Sequence, residues 1–478
     1  MKVAMFASES NPLCKSGGLA DVVYSLSAEL AKEGHEVIIA IPYYKSIANN
    51  PAYKFKKGPS FTVYMSWRQQ SADVYTGVID GITYYLIRNS YYFDRDKLYG
   101  YDDDGERFAF FALACRRLLK VIDFQADIVH VHDWQTAIIP CLVKEQNRDD
   151  SFYAKMKFVL TIHNPAFKGM IDRFFLNDFF GLDDSLYDTG KVRFQGMVST
   201  LKSGLVYSDK ITTVSPTHRE ELLQGGSSQG LDGVLNLRRD DFVGVLNGID
   251  YEEWNPSKDP LIAKNYDEKT LEEGKHLNQT DLLSAFHIKW YGGPVYGIVS
   301  RLSWQKGIDL VLTCGEKALN SGANLVILGN GEYGLEQKAE ALRKAHPDTV
   351  GVYIGYNAAL AHKIYAGCDY FLMPSLFEPC GLSQMIAQRY GTLPIVRYTG
   401  GLADSVHGYD GVADNLQVDG IGFRDYDERG MDYAMGIAKD LYANQRLYYR
   451  IAKRAMGLDR SWAVSAKEYV KLYKSLLK

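Results

Sequence analysis

The six cysteines of this 478-residue chain, at positions 14, 115, 141, 314, 368 and 380, never fall in close pairs, and no Cys-x-x-Cys spacing occurs. That pattern excludes the common zinc and dithiol motifs and gives no disulfide framework. No apolar run approaches the ~18 residues a membrane-spanning helix needs. The opening Met1-Lys2-Val3-Ala4-Met5-Phe6 runs straight into a strand pattern and lacks the long apolar region and cleavage site of a secretory leader. A cytoplasmic location is therefore expected. A surplus of positive charge is also missing. Net charge is −4, which argues against nucleic acid or an anionic membrane as partner. Low-complexity linkers are absent too, so any domains should meet at a short hinge.

What is present is an ordinary globular composition, 46% hydrophobic and 23% charged. The length is too great for one ordinary core, so two domains are expected. Tyrosine is abundant, with 34 residues. Its flat apolar face and hydroxyl suit sugar surfaces, although tyrosine also fills cores, and composition alone favours the core.

Short apolar, β-branched runs recur at 3–8, 37–42, 128–132, 159–163, 211–215 and 243–246 in the first half. In the second half they fall at 295–301, 325–329, 352–355, 370–374 and 393–396. Amphipathic stretches such as 19–33, 106–122, 308–320 and 335–345 separate them. Strand–helix alternation predicts parallel, doubly wound sheets, and two blocks of it predict two Rossmann-like domains. The expected division is 1–246, with an antiparallel insertion near 61–88, then 247–461, then a terminal helix over 462–478 free to pack back on the first domain.

Ligands of open α/β sheets bind outside the carboxyl ends of the strands, so residues there carry the functional reading. Lys15-Ser16-Gly17-Gly18 follows the first strand and precedes a helix. Glycines let backbone N–H groups approach an anion there, and Lys15 adds charge; an ordinary turn with a surface lysine fits the spacing equally well. Asp21, one turn in, also complements the helix dipole. Arg301 and Lys306 flank a short loop between a strand and a helix. Two cations so placed suit a diphosphate whose charge grows as it leaves. Glu378-Pro379-Cys380-Gly381-Leu382 follows another strand, and its carboxylate suits sugar hydroxyls; Cys380 reads as a packing residue without a base partner. His163-Asn164 and His132-Asp133-Trp134 each end a strand. No Gly-x-Ser-x-Gly elbow or His-Glu-x-x-His accompanies the His–Asp pair, which favours hydrogen bonding to a hydroxyl-rich ligand over hydrolysis, with core histidines as the rival. Gly329-Asn330-Gly331-Glu332-Tyr333-Gly334 spells a dinucleotide fingerprint, but it follows the second strand of its block and lacks the downstream acid, so it reads as a turn.

Together these segments resemble the bacterial glycogen synthase and plant starch synthase family of glycosyltransferases. The similarity runs through Lys15 to Val23, Tyr99-Gly100-Tyr101-Asp102-Asp103-Asp104, His132-Asp133-Trp134, Thr161-Ile162-His163-Asn164, Asn247-Gly248-Ile249-Asp250, Ser300-Arg301-Leu302, Gln305-Lys306-Gly307, and Glu378 through Asp404. The resemblance implies a GT-B architecture, two Rossmann-like domains facing across a deep cleft. It implies glucose transfer from ADP-glucose to the non-reducing end of an α-1,4-glucan, with retention of configuration, ADP-glucose as co-substrate, and neither metal nor other cofactor. In that frame Lys15, Gly18, Arg301 and Lys306 hold the diphosphate, and Asp21, His163 and Glu378 line the donor glucose. Asn247 and Trp134 lie nearby, Tyr356 packs on adenine, and the amides around Cys380, Gly381 and Leu382 add phosphate contacts.

Three departures stand out. Tyr24-Ser25-Leu26-Ser27 replaces the family's usual glycine and proline. Gln135 stands where histidine is common. Ile386 occupies the position at which related transferases carry a ribose-binding glutamate. Without a hydrolase-like carboxylate pair, the expected course is attack on the face of departure, with the leaving phosphate taking the proton and domain closure excluding water. The competing readings are a UDP- or GDP-sugar transferase of the same fold, an NAD-dependent nucleotide-sugar oxidoreductase or epimerase, and a non-catalytic glucan-binding protein. The sequence leaves a homo-oligomer open.

Overall fold

The computed structural model describes residues 1–412 and 417–478. The chain forms two compact units, Met1–Val245 with Ser465–Lys478, and Leu246–Val464. Each is a helix-covered, largely parallel sheet.

The first unit is built on β1 (Lys2–Phe6), β2 (Glu36–Pro42), β3 (Lys56–Met65), β4 (Arg68–Ile79), β5 (Ile82–Arg88), β6 (Ile128–His132) and β7 (Lys157–Ile162). Three very short strands follow, β8 (Met170–Ile171), β9 (Arg193–Phe194) and β10 (Met197–Ser199), and then β11 (Lys210–Thr213) and β12 (Phe242–Gly244). The main sheet has the order β12-β11-β7-β6-β1-β2-β5-β4-β3, and β8, β10 and β9 form a separate small sheet. Val3, Ala4, Met5 and Phe6 of β1 are fully buried, as a central parallel strand covered on both faces requires. Residues 61–88 lie in β3, β4 and β5. These pair antiparallel with one another but join the sheet through β5, which runs parallel to β2, so the segment extends the edge of the main sheet. Helix Asp104–Val121 covers one face with Phe108, Phe110, Phe111 and Leu118. The chain returns at Ser465, and the terminal segment buries Tyr469 and Tyr473 completely.

The second unit holds β13 (Val295–Val299), β14 (Asn324–Gly329), β15 (Val350–Ile354), β16 (Tyr370–Met373), β17 (Leu393–Arg397) and β18 (Ile421–Phe423). Their order is β15-β14-β13-β16-β17-β18, all parallel. The order reverses between β13 and β16, and in the first unit between β1 and β6. Each reversal opens a crevice at the carboxyl ends of two neighbouring strands. Among the described residues no helix is long and apolar enough to cross a membrane.

Candidate active site

In the second unit the loops leaving β13 and β16 meet at the reversal. Lys306 Nζ, from the β13 loop, lies 2.5 Å from Glu378 Oε2, from the β16 loop. Ser375 Oγ donates to the same oxygen at 3.1 Å. Both charged side chains are mostly buried, at 18% and 10% exposure, so each depends on the other for neutralisation. Arg301 is exposed at the end of β13 and makes no ion pair among the described residues. The pair and Arg301 thus present two cations and one carboxylate at one sheet edge.

Glycines make this possible. Gly307 has φ +69, and a Cβ there would lie 2.4 Å from Pro374 O, so the β13 loop turns directly against the end of β16. Gly400 has φ +43 and Gly401 follows it; Cβ atoms on these would lie 2.0 Å from Glu378 O and 2.1 Å from Cys380 O. Gly401 N–H donates to Glu378 O and Pro379 O at 3.2 and 3.1 Å. The Gly400-Gly401 turn is therefore the bed on which the Glu378 loop rests. Arg397 grips that loop from β17, donating through Nη1 to Leu376 O at 2.7 Å and Ser375 O at 3.3 Å.

The dinucleotide-like Gly329-Asn330-Gly331-Glu332-Tyr333-Gly334 serves the same loop system. Gly329 and Gly331 lie so close to Ser300 O and Leu302 O that side chains would collide at 1.8 and 2.3 Å, and Glu332 Oε1 accepts from Trp304 N–H at 3.0 Å. These glycines hold the Arg301–Trp304 segment, while Gly334 faces open space. Tyr356 is 90% exposed beyond β15, two strands from the reversal on the same edge. Asn247 and Cys380 come together, with the Asn247 backbone hydrogen-bonded to the Cys380 thiol, which burial pushes up to about 12. The Cys380 side chain is thus packed away, and Gly381, at φ +70, turns the chain into Leu382 and the helix Ser383–Arg389. Ile386 lies buried.

In the first unit the loops leaving β1, β6 and β7 converge. Lys15 Nζ sits 2.7 Å from Asp21 Oδ2, so the cation is held by the carboxylate one turn into helix Gly18–Lys32. Cβ atoms at Gly17 or Gly18 would meet nothing within 4 Å, so backbone there is open to an approaching group. Trp134 is wedged: Phe108 meets its ring edge-on at 5.2 Å, and Gly169, at φ +61, packs against it.

Two carboxylates shape this corner: Glu9, which sequence reasoning did not single out, and Asp133, which it read only as part of the His132-Asp133-Trp134 strand end. Glu9, 3% exposed just after β1, accepts from Ser16 N–H at 2.5 Å and Ser16 Oγ at 3.1 Å, and so ties down the Lys15–Gly18 turn. Burial raises its carboxyl to about 7 despite those bonds. Asp133, just after β6, adopts φ +52, rare for a non-glycine residue, and its Oδ1 accepts from His163 N–H at 2.7 Å. Burial lifts it likewise to about 7, with Glu9 adding repulsion. A carboxylate a few residues beyond a first strand, seven before a Ser-Gly-Gly turn, is the one sequence signal that pointed to Glu9.

Glu9 gives a pH test. Its folded value lies above the unfolded one, so the folded chain keeps a proton that the unfolded chain releases between about pH 4.5 and 7. Its favourable contribution is present at the acid end of that window and is lost as pH rises through it. Glu9→Gln removes this loss. Denaturant titrations should show the variant gaining on the wild type from pH 5 to 8, by up to about 3 kcal/mol. Groups that do not face Glu9 cancel in the difference, whereas Asp133, which Glu9 repels, is relieved along with it; a pH-independent difference would refute the assignment.

A histidine stack completes the corner. His130 and His132 rings lie 4.3 Å apart, and His132 Nδ1 is 3.0 Å from His163 Nε2. His130 bonds Tyr473 Oη at 2.7 Å and Thr161 Oγ1 at 2.6 Å. Burial drives His130 and His163 down to about 3 and His132 well below its usual value, so all three are neutral. The Tyr99–Asp104 motif is spent on structure, since Arg95 pairs with Asp103 and the fully buried Arg107 with Asp104 at 2.8 Å. Gly226-Ser227-Ser228-Gln229-Gly230 does spell an elbow pattern, but Ser228 is buried on a 3₁₀ turn and donates to Gly225 O at 2.7 Å; no strand feeds it as a nucleophile would need. Among the described residues no three His, Cys, Asp or Glu side chains are grouped to hold a metal ion.

Two family models match the chain, starch synthase catalytic domain over residues 2–237 and glycosyl transferases group 1 over 286–414. The glycogen synthase of Geobacillus thermodenitrificans is 44% identical across 100% of this chain and 98% of its own length. The chain belongs to the glycogen synthase and starch synthase family. The Clostridium kluyveri glycogen synthase is 42% identical with both chains fully covered. The catalytic domain of starch synthase IV from Arabidopsis thaliana, solved with ADP and acarbose, superposes with a TM-score of 0.91 at 31% identity over 99% of each chain. The fold is thus of the GT-B class, and the chain is a glycosyltransferase of the glycogen and starch synthase type. Sucrose-phosphate synthase from Thermosynechococcus elongatus shares the fold, with a TM-score of 0.61 at 14% identity over 99% of this chain and 98% of that one.

Proposed function

We propose that this chain transfers glucose from ADP-glucose to the non-reducing end of an α-1,4-glucan with retention of configuration. The observation that carries the reading is the Lys306–Glu378 pair with Arg301 beside it at the β13/β16 reversal. A nucleoside diphosphate leaving a sugar there gains negative charge as its bond breaks, and Arg301 and Lys306 neutralise it. Without donor, Lys306 is neutralised by Glu378; the diphosphate draws on Lys306, and the Glu378 carboxylate is released toward sugar hydroxyls. The amides around Cys380, Gly381 and Leu382 add phosphate contacts, with Asn247 alongside. In the first unit Lys15 and Gly18 offer a cation and open backbone to phosphate, Asp21 and His163 offer polar groups to the glucose, and Trp134 lies nearby. The charge these side chains supply lets the reaction run without a metal or further cofactor. The glucan hydroxyl attacks on the face the diphosphate leaves, and the leaving phosphate accepts its proton.

The adenine preference rests on Tyr356, whose exposed ring offers a stacking face. Incubation with ADP-, UDP- and GDP-glucose plus glycogen, following nucleotide release against glucose incorporated, tests the whole proposal. Incorporation from ADP-glucose should dominate. Equal use of UDP-glucose would remove the base preference, and binding of glycogen with no release would reduce the chain to a glucan-binding protein. Tyr356→Ala should raise KM for ADP-glucose roughly 10-fold, the loss of one base–aromatic stack, while leaving kcat near wild type.

A further inference from the structure

His132 is fully buried, and its ring nitrogens have unequal surroundings. Nδ1 faces His163 Nε2 at 3.0 Å, while Nε2 is buried with no hydrogen-bond partner. A hydrogen bond between two neutral imidazoles needs one N–H and one bare nitrogen, so only two arrangements are open. In the first, His163 Nε2–H donates to His132 Nδ1. His132 must then carry its own proton on Nε2, which leaves a buried N–H with nothing to donate to. In the second, His132 carries its proton on Nδ1 and donates it to His163 Nε2; its Nε2 is then a bare lone pair. Orphaned buried N–H groups are the rarer and costlier fault.

We propose that His132 is a positioning residue that fixes the tautomer of His163, donating Nδ1–H to His163 Nε2 so that His163 keeps its own proton on Nδ1. His163 is thereby made a hydrogen-bond donor at Nδ1, the ring position not engaged by His132. Which nitrogen of a histidine holds the proton is set by the bond the other one makes, and here that bond comes from a ring with no alternative acceptor. The rest of the corner holds the pair in register. His132 backbone N–H donates to Thr136 Oγ1 at 2.8 Å, Asp133 Oδ1 accepts from His163 N–H at 2.7 Å, and His130 stacks on the His132 ring while bonded to Tyr473 and Thr161. Burial keeps all three rings neutral, which the donor–acceptor pairing requires. For the reaction, a sugar oxygen then meets a fixed donor at His163 Nδ1.

The inference rests on the placement of His163 against the donor sugar, and the two can fail separately. The full chain, labelled with ¹⁵N-histidine, is observed by long-range ¹H–¹⁵N correlation, with the His163 signals assigned by their loss in His163→Asn. The wild type should show His163 protonated on Nδ1 and bare on Nε2. In His132→Leu the His163 proton should shift toward Nε2. With ADP-glucose and glycogen, that variant should lose roughly 10²-fold in kcat, between the ~10-fold typical of an outer hydrogen-bond partner and the ~10⁴-fold of a triad aspartate, with KM for the donor little changed. His132→Asn, whose amide nitrogen stands where Nδ1 stood, should restore most of the rate. A wild-type His163 protonated on Nε2 overturns the proposal, as does wild-type kcat in His132→Leu or an Asn variant as slow as Leu. If His132→Leu does not fold, the wild-type spectrum alone decides. Unchanged transfer by His163→Ala would instead remove the placement of His163 and leave the tautomer assignment standing.

Discussion

Lys306→Ala and Arg301→Ala should each lower glucose transfer by roughly 10²- to 10³-fold, the scale of about 3–4 kcal/mol of transition-state stabilisation from one well-placed charge or donor. The loss should fall on kcat, because the diphosphate carries its full charge only as the sugar bond breaks. The two variants should differ in the folded protein. Arg301 is exposed and unpaired among the described residues, so its removal should leave the unfolding midpoint unchanged. Lys306 neutralises a Glu378 carboxylate that is 10% exposed, so its removal strands a mostly buried charge and should lower stability. Lys306→Ala combined with Glu378→Gln removes that strain without restoring transfer. Near-wild-type turnover by either single variant, correctly folded, would sink the proposed role of these cations.

Gly400→Ala should abolish measurable transfer and cost about 2–4 kcal/mol of stability. The added methyl would sit 2.0 Å from Glu378 O on a residue at φ +43, so strain and collision act together. Either the Gly400-Gly401 turn or the Glu378 loop must move, and Lys306, Ser375 and Arg397 all hold that loop. Gly334→Ala is the control. It belongs to a glycine-rich motif on the same sheet edge, but its new methyl meets nothing within 4 Å, and at that helical position it should be neutral or mildly stabilising. Calorimetry and the incorporation assay on both variants distinguish a loop bed from a dispensable turn. A fully active Gly400→Ala would show that the Glu378 loop tolerates displacement.

The parallel strands were legible because a strand covered on both faces needs an unbroken apolar run, and 37–41 and 370–373 show one without interruption. Edge strands were less so. Alternation over 61–88 marked an antiparallel segment, but nothing local shows that Ile82–Arg88 joins it to β2. The two-residue strands Met170–Ile171 and Arg193–Phe194 are too short to leave a periodic signal. In the site, residues just beyond strand ends were visible one by one, whereas their pairings were not. Lys306 and Glu378 lie 72 positions apart, and His132 and His163 lie 31 apart. Their meeting follows from which strands are neighbours in the sheet, which no local pattern encodes. Glu9 escaped notice because an acidic residue after a strand usually faces water; only the fold shows it buried beneath the Ser16 turn.

The return of the chain to its first unit at Ser465 has a consequence for biosynthesis. His130 waits for Tyr473, 343 positions downstream, and the pocket that this tyrosine and Tyr469 fill stays open until they arrive. Domains commonly fold as they leave the ribosome, the amino-terminal one first. Here the half translated first is the half finished last, so a chain lacking only its final turns emerges with an intact second unit and a gap beside the histidines of the first.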